Sequence, residues 1–532
     1  MKKSFFLIAL FLLSVSTSSF AQQRGIDNPV TKAVLQVYEK MLRENPDDYM
    51  IWFRRANEYY RHDEYMKALK DINEALQRTP TSDSDLRFQE YMLRAGIYNQ
   101  TSRKQEALAD LNEACRIDPE SYAAIYQRAN TEYELEQFAD AKTDYVRLQR
   151  LNSRSAEAPL GLARIAIREN NLGMANDYLE QAVSLDPNNA ETYVRRASVR
   201  KQMGNNNGAV DDLILAISID SNHTKAIEAL VDYGNTNFAA TINGLSSAIR
   251  QAPQVGMFWY LRAVIEQAHY HYKAAIDDYR HIIDNGLYKY QGLYASIAEC
   301  EYALGEFDAA LSDIDYALGM STNEAQFFTL KSKVLRALGR YDEAVEAAAR
   351  ALSVDRNYAD GLAEMGLCYM AKENYKEASA LFGEAMMTNA ENPYYYMLRA
   401  WLLRDYMNQA EAANGFYEQV ANMDFFYVDN VKSLKGFAEL FLDHATRAEG
   451  WMNNILTTVN DNDGLINYYA ACFYCAADDS ERALACAEAA LKAGYANYFD
   501  WMYNTDARIN VAPLRDDLRF LNLLHRYEGI FK

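Results

Sequence analysis

Trp52 to Pro80 reads WFRRANEYYRHDEYMKALKDINEALQRTP, and the fold is decided by this stretch. Trp52, Arg55, Ala56 and Tyr59 fall at i, i+3, i+4 and i+7, the spacing of one helix face. Ala68, Ile72 and Ala75 keep that spacing on a second run, and the polar Arg61-His62-Asp63-Glu64 between the runs suits a short turn. Pro80 cannot continue a helix and ends the second run. Each predicted helix has one apolar stripe, so each must bury that stripe on a neighbour. Ala56 and Ala68 are small where the two helices would cross, which lets their backbones approach closely.

The same pattern recurs along the chain. Units start at 49, 88, 122, 156, 190, 222, 256, 291, 325, 359, 393, 429 and 464, and seven of the twelve intervals are 34 residues. The first-helix small site is Ala, Ser or Gly in all thirteen, from Ala56 and Ala95 through Ser332 and Gly366 to Ala471. The second-helix site is Ala in twelve, with Thr241 as the exception. Chance does not hold such a register. Trp52, Ala56, Tyr59, Ala68 and Pro80 resemble the tetratricopeptide repeat, whose pattern is W-x2-L-G-x2-Y, A-x3-F and P over 34 residues. Arg55 stands where that pattern has Leu. The resemblance implies an all-α chain, a right-handed superhelix of about thirteen helix–turn–helix units with capping helices. The unit at 222–255, with Gly234, Asn235 and Gly244, is expected to be distorted or hinged, and the unit at 429–463 is recognised by register alone. The insertion Thr81 to Asp85 is expected to lengthen an inter-unit loop.

The ends read differently. Residues 1–21 resemble a secretory leader: Lys2 and Lys3, an apolar run from Phe5 to Val15, then Ser19-Phe20-Ala21 as a cleavage site. The expectation is an exported, periplasmic bacterial protein without a membrane span. Residues 22–48 hold an N-terminal capping helix that opens at Asn28-Pro29, residues 49–495 the array, and residues 496–532 a C-terminal capping segment. The 532-residue chain has a net charge of −20, and loss of Lys2 and Lys3 leaves −22. Such a chain is repelled by nucleic acid and anionic lipid, so neither is an expected partner.

Five units pair an arginine with an aspartate sixteen residues later: Arg55/Asp71, Arg94/Asp110, Arg128/Asp144, Arg196/Asp212 and Arg262/Asp278. An arginine beside the crossing alanine needs a charge partner, so these are expected to brace the two helices of a unit rather than bind ligand. Asp313 lacks the arginine (its site is Ile297), and Arg399 lacks the aspartate (its site is Gly415). Cys115, Cys300 and Cys368 suit buried hydrophobic positions, and Cys472-Phe-Tyr-Cys475 falls mid-helix with no second ligand pair for zinc. His269, His271 and His281 read as polar turn residues. With no phosphate loop or nucleophile motif, no enzyme and no cofactor are expected.

What remains is the concave surface. In the tetratricopeptide-repeat family a groove is lined by first-helix residues facing away from the second helix. The resemblance implies Phe53, Asn57, Tyr60, Tyr126, Asn130 and Tyr133 toward the N-terminus, and Tyr394, Met397, Trp401, Arg404 and Phe437 toward the C-terminus. Tyr, Trp, Met and Arg together suit a protein-binding surface, unless curvature buries them. The family's carboxylate-clamping co-chaperones want Lys where Phe53 stands, and that subtype is not adopted. The expected function is a protein–protein interaction scaffold that takes a peptide or helix of a partner. The alternative is a glycan- or cell-wall-binding protein that stacks aromatics on sugars. Neither the partner nor the oligomeric state is legible.

Overall fold

Alanine at both crossing positions produces tight helical hairpins. Ala56, Ala68, Ala95, Ala107, Ala129 and Ala141 have no exposed surface, and each hairpin closes over them. The computed structural model describes residues 29–290, 292–321, 323–423 and 429–531. The leader and its cleavage site lie outside the described residues. Every regular element among the described residues is helical, and none of these helices is long and apolar enough to cross a membrane.

The chain divides into two compact units, at Leu230 and Val231. The first holds the N-terminal helix Pro29–Glu44 and five hairpins, from Tyr49–Arg61 with Tyr65–Arg78 to Ala190–Gln202 with Asn206–Ile219. The second holds seven complete hairpins, from Gly256–Ala268 with Tyr272–Asp284 to Leu465–Ala476 with Ser480–Ala493. The hairpin of Thr224–Thr236 and Phe238–Gln251 contains the division, in the repeat whose sequence is degenerate. The repeat recognised by register alone is a regular hairpin, Asp429–Phe441 with Ala445–Thr458.

A backbone device recurs in the turns. Twelve hairpin turns each place one residue at positive φ: Asp63, Ser102, Glu136, Asn170, Gly204, Tyr270, Gly305, Gly339, Glu373, Asn408, Asp443 and Asp478. The hairpin without one is the degenerate repeat, where only Asn237, at φ −135°, separates the two helices.

The insertion after Thr81 does more than lengthen a loop. Ser84 and Asp85 belong to helix Ser84–Gln100, an added N-terminal turn that Asp83 caps by accepting from Leu86 N at 3.2 Å. Capping supplies an acceptor for an amide that has none within the helix.

After Ala493 the chain leaves the repeat pattern. It forms a short helix Tyr498–Met502, 3-10 turns Asp506–Arg508 and Ala512–Leu514, and helix Leu518–Arg526. That last helix covers the final hairpin, with Arg519 on Glu481 at 2.6 Å and Arg526 on Glu488 at 2.8 Å. The stretch before it takes a different course.

Candidate partner-binding grooves

The Arg/Asp pairs position the first helices whose outer faces line the grooves. Arg55 Nε donates to Asp71 Oδ2 at 2.5 Å and its Nη2 to Oδ1 at 2.9 Å. The other four pairs repeat this two-pronged contact at 2.6 to 2.9 Å. The Asp144 carboxylate raises the Arg128 guanidinium above its ordinary value, so the arginine stays charged. A third prong was not read from the sequence. Arg94 Nη1 donates to Asn73 Oδ1 at 2.8 Å, Arg128 Nη1 to Asn112 Oδ1 at 3.2 Å, and Arg262 Nη1 to Ser246 Oγ at 2.9 Å. Each of these acceptors belongs to the preceding hairpin, so the brace also sets one repeat against the next. Asp313 is answered from the preceding repeat by Arg280, at 3.0 Å.

Arg399 departs from this scheme. Its aspartate position is Gly415 and its preceding-repeat position is Gly383, so both acceptors are missing. Its guanidinium lies over the Phe416 ring at 4.9 Å, and its buried Nε has no protein hydrogen-bond partner. Burial lowers its pKa.

In the first unit the groove residues stay half-buried. Tyr126 and Asn130 line a cavity of about 260 Å³ together with Leu160, Gly161, Arg164, Thr192 and Arg195. Asn130 is held on three sides. Its Oδ1 accepts from Tyr145 Oη at 2.9 Å and from Arg164 Nη1 at 3.1 Å, while its Nδ2 donates to the Tyr126 carbonyl at 3.0 Å. Gly161 makes this possible, because a Cβ there would lie 2.2 Å from the Tyr145 ring. Tyr133 sits beneath Arg164, 4.0 Å from guanidinium to ring. Phe53, Asn57 and Tyr60 are also half-buried, on helix Tyr49–Arg61. Leu160 and Arg164 occupy the same register positions one repeat after Tyr126 and Asn130, so the register pointed to them although they were not singled out.

In the second unit the corresponding residues are covered. Met397 and Phe437 have no exposed surface, and Trp401 is 8% exposed. Arg404 Nη1 donates to the Phe441 carbonyl at 2.5 Å. Tyr394 is half-buried, and burial and the nearby Asp506 raise its pKa far above the ordinary value. The cover includes the chain's own residues 495–511, which lie against successive hairpins of the unit. Tyr495 packs on Tyr270 at 4.7 Å and on Tyr468 at 4.8 Å. Phe499 packs on Tyr302 at 4.5 Å and Tyr503 on Phe307 at 5.0 Å. Arg336 Nη1 lies 3.6 Å from Asp506 Oδ1, and Arg508 Nε 2.6 Å from Asp405 Oδ2. The expected C-terminal cap, residues 496–532, thus also lies along inner hairpins, while Phe437 is covered by Phe473 of the next hairpin, so the expected C-terminal binding surface is buried.

The six cysteines are free thiols, all buried except the half-buried Cys486. Burial pushes the Cys475 thiol up to about 12 and Cys486 up to about 11, so neither supplies a ready thiolate. His269 reaches the Gly234 carbonyl, His271 the Glu266 carboxylate and His281 the Trp259 ring. Among the described residues no group of three His, Cys, Asp or Glu could hold a metal ion.

Comparison with known proteins follows the same architecture. Models described as "Tetratricopeptide repeat" match residues 53–122, 126–190 and 296–361, residues 190–223, and residues 335–402. Together they cover just over half of the chain. The DnaJ homolog subfamily C member 7 homolog of Schizosaccharomyces pombe is 24% identical over 321 residues, 57% of this chain and 63% of that protein. Human mitochondrial import receptor subunit TOM70 is 24% identical over 226 residues, 41% of this chain and 36% of that protein. The match thus spans less than two thirds of either relative. The crystal structure of yeast Tom70 aligns at 14% identity and a TM-score of 0.35, covering 78% of this chain and 97% of that one.

Proposed function

The chain belongs to the tetratricopeptide-repeat family, and from that premise we propose that it is a non-enzymatic protein–protein interaction scaffold. It binds an extended peptide or a helix of a partner in the groove of its first unit. The observation that carries this reading is the half-buried cavity around Tyr126, Asn130 and Arg164. Its polar groups are fixed before any partner arrives: Asn130 by Tyr145 and Arg164, and Arg164 by the Tyr133 ring. Preorganised donors and rigid aromatics recognise a peptide at low entropic cost. Phe53, Asn57 and Tyr60 extend the recognition surface on the first hairpin. The leader-like start, Lys2-Lys3 to Ala21, supports export to the periplasm.

Selection of a displayed peptide library against the full-length chain tests the reading. Selected peptides are expected to lose affinity roughly tenfold or more with Tyr126→Ala or Arg164→Glu, the scale of a groove anchor. The scaffold reading fails for this groove if every selected peptide ignores both changes while the variants keep wild-type helicity.

A further inference from the structure

The second unit already holds a peptide-like ligand, and the ligand is part of the same chain. We propose that its groove is a binding site for an extended, aromatic, aspartate-bearing peptide. Residues 495–511 are the resident ligand and close the site to partners in the native chain. This inference concerns the second unit and stands independently of the first-unit reading.

The course of the segment carries the argument. Besides its packing on Tyr468 of the last hairpin, its contacts follow the order of the hairpins: Tyr495 on Tyr270, Phe499 on Tyr302, Tyr503 on Phe307, Asp506 on Arg336, and Arg508 on Asp405. An ordinary cap covers only the last repeat; this stretch reaches back to Tyr270, in the first complete hairpin of the unit. It is also built like a peptide ligand. It has only five residues of α-helix and one 3-10 turn, and much of its polar backbone is satisfied locally. Trp501 Nε1 donates to the Tyr495 carbonyl, and Arg515 donates to the carbonyls of Trp501 and Asn504.

The segment is held in a shape it would not choose alone. Ala507 and Arg508 are consecutive non-glycine residues at positive φ, 53° and 58°. On the repeat side Tyr270, whose φ of 65° is that of the other hairpin turns, lays its ring against Tyr495. Gly494, at φ 101°, releases the segment from the last hairpin at the one point where the backbone must turn away. The charges are complementary in both directions: Asp506 approaches Arg336, whose nearer partner is Glu364 at 2.8 Å, and Arg508 meets Asp405, which fixes register.

The test uses a fluorescein-labelled peptide of residues 495–511, YANYFDWMYNTDARINV, added to the full-length chain. The wild type is expected to bind no peptide up to roughly 100 µM, because the site is filled. A full-length triple variant, Phe499→Ala with Asp506→Lys and Arg508→Glu, changes only the segment. It is expected to bind the peptide at least about tenfold more tightly than the wild type, and adding Asp405→Arg, which opposes the peptide's Arg508, cancels the gain. Equal binding by wild type and triple variant overturns the proposal, because the groove is then open. So does a triple variant whose 495–511 amides exchange freely while it takes up no peptide. A second arm covers misfolding of the triple variant. A protease site is placed between Gly494 and Tyr495, and the chain is cleaved after folding. Labelled peptide 495–532 in excess is expected to replace the resident fragment; failure to exchange over a day shows a core element rather than a ligand and overturns the proposal.

Discussion

Arg399 shows what a single missing side chain does in a repeat. Five arginines at this register have an aspartate sixteen residues on, whereas Arg399 faces Gly415, where an added Cβ would meet nothing within 4 Å. Gly415→Asp is expected to stabilise the second unit by about 1 kcal/mol, through helix propensity and a restored pair. In an Arg399→Met background only the propensity part remains, which a double-mutant cycle by chemical denaturation separates. The opposite case is Asp212, which holds both Arg196 and Arg200. Asp212→Ala strands the buried Arg196 guanidinium and removes one of three partners from Arg200, and is expected to cost about 3–5 kcal/mol. A loss under 1 kcal/mol would show that the brace is dispensable. Two buried carboxylates set a pH response. Burial pushes Glu90 and Glu132 up to about 7 from an ordinary 4.5, and each keeps one oxygen without a protein partner. The folded chain therefore binds more protons than the unfolded chain between about pH 4.5 and 7. Stability is full below that window and falls as pH rises through it, by roughly 1–3 kcal/mol per group. Denaturation midpoints of the first unit are expected to be higher at pH 5.5 than at pH 8. Glu90→Gln with Glu132→Gln should flatten that slope, and an unchanged slope in the double variant assigns it elsewhere.

At the scale of the hairpin, the turn and the brace divide the work. Positive φ falls at one register in eleven of the turns, fourteen residues after the unit start, and one residue later at Asn408. Only Gly204, Gly305 and Gly339 advertise it by residue type; Asp, Asn, Ser, Glu and Tyr occupy the rest. Gly339→Ala is expected to lower stability by about 1 kcal/mol, and Glu136→Gly to raise it by roughly half as much, both read from thermal unfolding. The crossing alanines were legible because packing two backbones together tolerates few side chains. The Arg/Asp pair was legible because its spacing stays inside one repeat. The third prong was not, since Asn73 precedes Arg94 and lies in another hairpin, so one-repeat spacing never compares them. The groove was legible by position and not by state. Register placed Tyr126 and Trp401 on equivalent faces, but it carries no information about whether a distant stretch covers one of them.

Repeat arrays are close to one-dimensional, each unit touching its neighbours, and damage stays local. The first unit fits that description. The second does not, because Tyr495 ties the last hairpin to Tyr270 in the first complete hairpin of that unit. Trp501 has no exposed surface and packs on Tyr468, Tyr495 and Phe520. Trp501→Ala is expected to cost about 3–5 kcal/mol and to raise hydrogen exchange in helices Gly256–Ala268 and Leu465–Ala476 together. Exchange confined to the last hairpin would show that the long-range tie is weak.

The position of that tie also governs when the protein is finished. Synthesis proceeds from the N-terminus, and hairpins that need only their neighbours can close as they emerge. The first unit can therefore be complete while most of the chain is still to be made. The second cannot, since the stretch that covers Tyr302 and Phe307 and lies near Tyr394 follows every hairpin of that unit in the chain. Until those residues arrive, an aromatic channel stands open, and a chain stalled or clipped near Gly494 presents it permanently. Arrival of this segment thus closes an aromatic surface that the hairpins alone leave open.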